Sequence, residues 1–181
     1  MKTKDKLIQS ALKLFNEKWF EATSTTSICT HAWFSSWALF VHFKTKNELL
    51  DYIYVSVKKD YFHSTFDTIN TNKNLEEVLI ELLEKSFEYY LNDYDKFMFV
   101  DRFANSHHIS RIAHQEIKSE MNAFIDILNR WKKEGLFIDA PNDILLTIIS
   151  STFHGLVKYV HEHNIKKIDN IIPLVLKWIK K

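Results

Sequence analysis

The stretch Ala22-Thr23-Ser24-Thr25-Thr26-Ser27-Ile28-Cys29-Thr30-His31-Ala32-Trp33-Phe34-Ser35-Ser36-Trp37-Ala38-Leu39-Phe40-Val41-His42-Phe43-Lys44-Thr45-Lys46 contains a short helix, a tight turn, a second short helix and a basic exit. Thr25 or Thr26 can cap the first of these helices, which runs to about Ala32, and Ser35 or Ser36 can cap the second, which runs to about Phe43. A small domain uses this arrangement to present one helix to the major groove, so the pattern points to DNA binding.

Upstream, Leu7, Ile8, Ala11, Leu12, Leu14 and Phe15 recur at helical spacing opposite lysines and Gln9, which predicts an amphipathic helix over about residues 3 to 18. Three short helices sharing Leu12, Phe15, Phe20, Ile28, Ala32, Leu39, Phe40 and Phe43 make a compact head. So small a core is marginal alone, and the long helix opening at Thr45-Lys46-Asn47-Glu48 is expected to support it.

That helix runs through Leu49, Leu50, Ile53, Val57, Phe62 and Phe66 to a polar turn at Thr71-Asn72-Lys73-Asn74. Further helices are expected over about 75 to 91, through the aromatic segment Tyr94 to Phe103, over about 110 to 134, over 144 to about 161, and from the neighbourhood of Pro173 to Ile179. Gly135 stands where a helix ends in the left-handed conformation, after Lys132 and Lys133 in its last turn. With two glycines and two prolines in 181 residues, few places exist for a sheet to turn. The expected class is all-α, with about nine helices: a head over residues 1–46 and a larger helical domain over 47–181. The last two helices carry more apolar surface than one exposed face should show, among it Leu145, Ile148, Ile149, Leu156, Ile171, Leu174 and Trp178. Burial between two subunits accounts for the excess, and a core inside one subunit is the alternative.

Charge is unevenly placed. Residues 1–46 hold seven lysines against Asp5, Glu17 and Glu21, a net of +4, while the remainder carries −3. A basic head on a mildly acidic body suits a module that meets phosphate with one end. Cys29 is the only cysteine, which rules out an internal disulfide and a cysteine-based zinc cluster, and its apolar helical setting predicts a small buried side chain. No apolar run approaches the roughly 18 residues that span a bilayer, and no signal peptide opens the chain, so no membrane partner and a cytoplasmic location are expected. A Gly-rich phosphate loop, a His-Glu-x-x-His run and a nucleophile elbow are all missing from the sequence, so an enzyme is not expected, nor a cofactor. His107, His108 and His114, and likewise His154, His161 and His163, invite a metal reading, but no acidic or sulfur ligand completes a recognisable spacing. No metal site is expected.

Several residues of the head match a known pattern: Ala11, Leu14, Phe15, Phe20, Thr23, Ser24, Ile28, Ala32, Ser35, Leu39, His42, Phe43, Lys46 and Leu49. The N-terminal stretch of about 45 residues resembles the TetR family of transcriptional regulators. Beyond residue 50 the likeness is in length, helix order and Gly135-Leu136-Phe137 before Asp139-Ala140-Pro141. Trp19, Trp33 and Trp37 stand where the family usually has glycine, Phe34 replaces a valine, and Phe40 replaces a tyrosine whose hydroxyl donates to a phosphate. If the usual backbone is kept, Trp19 and Trp33 must adopt a conformation that glycine adopts more cheaply.

The resemblance implies a homodimeric repressor of a double-stranded DNA operator, dimerised through the two C-terminal helices and released by a small effector. Thr23, Ser24 and Thr26 would hold a phosphate at the entry of the second helix, or serve only as helix caps. Lys44 and Lys46 would make point-charge phosphate contacts, against the ordinary role of a solvated lysine. Ser35, Ser36, Trp37, Val41 and His42 are the candidates for reading bases, although His42 could equally pack on the long helix that follows. None of these is Arg, Asn or Gln, so readout would rest on thymine methyls and DNA shape. In the larger domain, the resemblance implies a pocket lined by Phe62, Phe66, Phe87, Tyr90, Phe97, Phe103, Phe124 and Phe153, with His107, His154 or Tyr90 as polar contacts, suited to an apolar or aromatic effector. The alternative is a helical, dimeric interaction protein whose tryptophan-altered head has weakened or lost DNA binding.

Overall fold

The computed structural model describes residues 2–69, 73–135, 138–165 and 171–179. Thr71, Asn72, Leu136 and Phe137, on which part of the sequence reading rests, lie outside them, as do the side chains of Leu176, Trp178 and Ile179. Among the described residues are nine α-helices: α1 (Thr3–Ala22), α2 (Thr25–His31), α3 (Lys46–Thr65), α4 (Leu75–Asn92), α5 (Tyr94–Phe103), α6 (Arg111–Glu116), α7 (Lys118–Lys133), α8 (Asn142–Glu162) and α9 (Ile172–Ile179). A 3-10 turn, Ala38–Val41, lies between α2 and α3.

The all-α expectation holds, but the helices are apportioned differently. The segment expected as a helix from Ser35 or Ser36 to Phe43 is instead a single 3-10 turn, with Ala38 N–H donating to Ser35 O (3.0 Å), Phe40 to Trp37 O (3.0 Å) and His42 to Leu39 O (2.9 Å). Trp37, Phe40, Val41 and His42 are all modest helix formers, and so short a piece cannot offset the cost of nucleation by itself. Burial of Leu39 and Phe43 sets its path instead. Conversely, the expected helix over 110 to 134 divides at buried Ile117 into α6 and α7. Ser110 caps α6 by accepting from Ala113 N–H (3.1 Å), and its own N–H donates to Asp51 of α3 (2.9 Å), which pins α6 to a direction of its own.

The chain forms two compact units, one of residues 1–59 with 93–117 and one of 60–92 with 118–181. In the first, Leu7, Ala11, Phe15, Ile28, Leu39, Leu49 and Leu50 are fully buried. Phe15 meets Phe103 of α5 edge-on at 6.1 Å, so the small head core gains support from α5 as well as from α3. In the second, α4 packs on α8 and α9. Phe87 and Phe153 meet edge-on at 4.8 Å, and Tyr61 stacks on Tyr90 at 5.0 Å while its hydroxyl bonds Ser86 at 3.0 Å. On α7 of the same unit, Leu128 and Trp131 are also buried.

Candidate nucleic-acid interface

A helix end leaves carbonyls without intrahelical donors, and α1 has an added break at Trp19 (φ 66, ψ 166), a backbone region nearly confined to glycine. Three side chains supply the missing donors. Arg102 Nη1 donates to Phe15 O (3.0 Å) and to Asn16 O, and its guanidinium lies over the Trp19 indole at 4.1 Å. Thr23 Oγ1 donates to Trp19 O (2.8 Å) and Leu14 O (3.2 Å). Lys46 Nζ donates to Phe20 O (2.7 Å) and Thr23 O (2.8 Å) and sits over the Phe20 ring at 4.0 Å.

Two expected phosphate contacts therefore face inward. Thr23 is fully buried, and its hydroxyl is committed to α1. Lys46 is half-buried, and burial lowers its ammonium pKa below the ordinary value, a change that the nearby Glu21 carboxylate opposes. Both residues fix the angle at which α2 leaves α1. The cap of α2 is Ser24, rather than Thr25 or Thr26: its Oγ accepts from Ser27 N–H (3.0 Å), and Ser27 Oγ accepts from Ser24 N–H (3.1 Å). Ser24 and Thr26 are exposed at the entry of α2.

The turn after α2 passes through Trp33 at φ 63, with the indole 93% exposed. Trp33 N–H donates to Thr30 O (3.1 Å) and Phe34 N–H to Cys29 O (2.9 Å), while the buried Cys29 thiol points to Ser36 O at 3.6 Å. Trp19 and Trp33 thus hold the positive φ that the glycine positions of the resemblance imply. Trp37 differs: at φ −90 it occupies ordinary backbone space, so its glycine counterpart reflects room rather than conformation.

Between Ser35 and Lys44, Leu39 and Phe43 turn inward, Ala38 is half-buried, and Ser35, Ser36, Trp37, Phe40, Val41, His42 and Lys44 are exposed. Trp37 and Phe40 lie 5.7 Å apart, and Trp37 and Val41 are 75% and 78% exposed. His42 is on the surface and its ring is 6.5 Å from that of Phe43. Such a face offers two hydroxyls, an imidazole, an ammonium and three apolar groups: material for phosphate bonds, thymine-methyl contact and stacking, with no bidentate base reader among them. Sequence reasoning missed Arg102, whose target carbonyl on Phe15 is 87 positions away, and nothing in the local pattern around a lone arginine announces such a role.

The ten residues expected at an effector site divide between the two units. Phe97, Phe103 and His107 belong to the first, where both rings are buried and His107 is exposed. In the second, Phe66 contacts Phe62 and Phe124 (5.3 Å each), and Phe153 contacts Phe87 (4.8 Å), Tyr90 (6.1 Å) and His154 (6.2 Å). One cavity there, of about 40 Å³, is lined by Phe66, Ile69, Val78, Leu82, Ile127, Arg130 and Trp131. On α8, Ile144, Ile148, Ser151, Gly155 and Tyr159 are exposed at spacings of three and four, a continuous stripe, and a Cβ at Gly155 would meet nothing within 4 Å. No helix of the described residues is long and apolar enough to cross a membrane.

Residues 7–53 match the family model for bacterial regulatory proteins of the tetR family, and residues 56–177 match that for the tetracyclin repressor-like C-terminal domain. The chain is 27% identical over 144 residues to the probable HTH-type transcriptional regulator YttP of Bacillus subtilis strain 168, a match covering 77% of this chain and 69% of that protein. Its fold is similar to that of a crystal structure from Shewanella sp. PV-4 (TM-score 0.87, 16% identity, both chains fully covered). It is also similar to that of a TetR family transcription regulator from Marinobacter aquaeolei VT8 (TM-score 0.85, 19% identity, 97% of this chain and 92% of the other). Family matches on both the head and the larger helical region, together with the helix-turn-helix geometry, identify the chain as a member of the TetR family of DNA-binding transcriptional regulators, a family of regulators rather than enzymes.

Proposed function

We propose that the chain is a homodimeric repressor that places two heads in successive major grooves of a palindromic operator and is released by a small apolar or aromatic effector. Residues 1–46 would serve as the DNA-binding domain and 47–181 as the effector-binding and dimerisation domain. The observation that carries the proposal is the face from Ser35 to Lys44, which buries Leu39 and Phe43 and turns Ser35, Ser36, Trp37, Val41, His42 and Lys44 to solvent. Ser24 and Thr26 extend it at the entry of α2. Thr23 and Lys46 contribute to this face by positioning α2 rather than by touching phosphate.

Half-sites one turn apart need heads held about 34–36 Å apart, which a dimer supplies. The exposed stripe of α8, with Leu174 exposed on α9, supports pairing through these helices, since Ile144, Ile148 and Tyr159 share one face and the small Ser151 and Gly155 between them leave room for close helix approach. The clustered rings of the second unit support an apolar or aromatic effector. The cavity of about 40 Å³ has room for a water, whereas an organic effector needs about 300 Å³ or more, so an effector entering at that place would have to part the rings that line it. That displacement is a route by which an effector could move the heads.

One observation favours a second reading, a dimeric interaction protein with weakened DNA binding: the recognition segment is a four-residue 3-10 turn preceded by the exposed Trp33 and Trp37. Selection of bound fragments from genomic DNA, then titration of the enriched fragment and a scrambled control at two salt concentrations, separates the two. The repressor proposal expects a palindrome bound more tightly than the control, with affinity falling as salt rises. A folded dimer that enriches no sequence would refute it and leave the second reading.

A further inference from the structure

We propose that Glu21, His107 and His108 form a binding site for one divalent transition-metal ion of the zinc class, which ties the end of α1 to the turn between α5 and α6. One carboxylate oxygen and one ring nitrogen from each histidine lie within 4.8 Å of one another. Around a tetrahedral ion, zinc bonds of about 2.0–2.2 Å place donor atoms roughly 3.4 Å apart, so closing the site takes side-chain shifts of up to about 1.4 Å. Glu21 and His107 are exposed, and side-chain rotation can provide that shift without moving backbone.

Two further features favour an ion over a plain surface ion pair. His108 is half-buried with its ring 4.6 Å from that of Phe20, and its Nε2 already lies 2.6 Å from Glu21 Oε1, so packing holds one ligand and orients the other. His107 stands beside it with ring centroids 4.0 Å apart, which places two nitrogen donors on one side of the turn. An ion would replace the proton shared between Glu21 and His108 and leave a coordination position open to water. Two imidazoles and one carboxylate favour Zn²⁺, Co²⁺, Ni²⁺ or Cu²⁺ over Mg²⁺ and Ca²⁺, which take oxygen ligands. The sequence could not show this site, because its acidic member lies in the head and its imidazoles follow α5. The ion would act where α1 ends, one residue from Phe20, whose carbonyl Lys46 holds.

The test uses the full chain without an affinity tag, freed of metal, with Zn²⁺ titrated by calorimetry and Co²⁺ by its visible absorption, for the wild type and for E21Q and H107A. One ion per chain is expected, with a tetrahedral Co²⁺ spectrum, a rise in melting temperature with Zn²⁺, and affinity at least about tenfold weaker in both variants. H163A, at the far end of α8, should bind as the wild type does. Both altered ligands are exposed, and circular dichroism of the metal-free variants checks that they fold. Absence of saturable binding, equal binding of Mg²⁺, or full affinity in E21Q and H107A would each overturn the proposal. No DNA is present in these measurements, so their outcome is separate from that of the repressor proposal.

Discussion

Replacing Trp33 by glycine should stabilise the protein, an unusual direction for removing a tryptophan. The residue sits at φ 63 with its indole 93% exposed, so the side chain buries almost nothing that its loss would forfeit. Holding a side chain in a sparsely populated backbone region costs about 1–3 kcal/mol, and glycine removes that cost. Against this, glycine adds about 0.4–1 kcal/mol of unfolded-chain entropy that folding must overcome. The net gain is about 1 kcal/mol, or a rise of roughly 2–4 °C in melting temperature for a chain of this size. Trp33→Ala is the control for the indole itself: it keeps the strain and should leave stability within about 0.5 kcal/mol of the wild type, as surface substitutions usually do. Trp37→Gly is the control for glycine. At φ −90 and 75% exposed, Trp37 has no strain to relieve, so that variant should lose about 0.4–1 kcal/mol. Thermal and urea unfolding followed by circular dichroism would measure all three. If Trp33→Gly and Trp37→Gly move stability in the same direction, the strain at Trp33 is not what decides its effect.

Arg102→Ala should destabilise by about 2–3 kcal/mol, because the carbonyls of Phe15 and Asn16 lose a charged donor where α1 breaks; Arg102→Lys should recover only part, since an ammonium cannot stack on Trp19 as a guanidinium does, and urea unfolding of the pair checks this. Phe87→Ala should cost about 3–5 kcal/mol, and a double-mutant cycle with Phe153→Ala should return a coupling of about 0.5–1.5 kcal/mol for the edge-on pair. Burial pushes the Lys58 ammonium pKa down to about 8 from 10.5, so the unfolded chain binds the extra proton between those values. Stability should therefore rise as pH passes from 8 to 10.5, and Lys58→Met should flatten that rise in unfolding curves taken across the window. Ile148→Glu, in the exposed stripe of α8, should yield a monomer by analytical ultracentrifugation with its helical content kept; a dimer of unchanged affinity would remove α8 from the proposed interface.

Much of the architecture is legible in local pattern. The amphipathic spacing of Leu7, Ala11, Leu14 and Phe15, the scarcity of glycine and proline, and the burial of Cys29 all follow from side-chain periodicity, which a helix enforces within a few residues. The three glycine-position tryptophans are equally visible, and for Trp19 and Trp33 the expected positive φ is present. What local pattern misjudged was competition between weak local preference and distant burial. The stretch from Ser35 to Phe43 has helix caps and helical spacing, yet Leu39 and Phe43 bury it as a 3-10 turn. The run from Ser110 to Glu134 reads as one helix, yet the Asp51 bond at its start and buried Ile117 divide it.

The interface shows the same division at the level of single residues. The sequence by itself determined that a basic head with a helix-turn-helix spacing leads the chain, and that serines, a histidine and a tryptophan occupy its outer limb, because short-range spacing fixes which side chains share a face. Only the tertiary structure decided that Thr23 and Lys46 turn inward to serve the carbonyls of α1, that Arg102 reaches back to Phe15 and Asn16, and that Glu21 meets His107 and His108. Each of those pairings joins residues from separate elements or answers a backbone group freed by a break in a helix. Hydrogen bonds and ion pairs of that kind depend on where folding brings groups together in space, and sequence spacing carries almost no record of it.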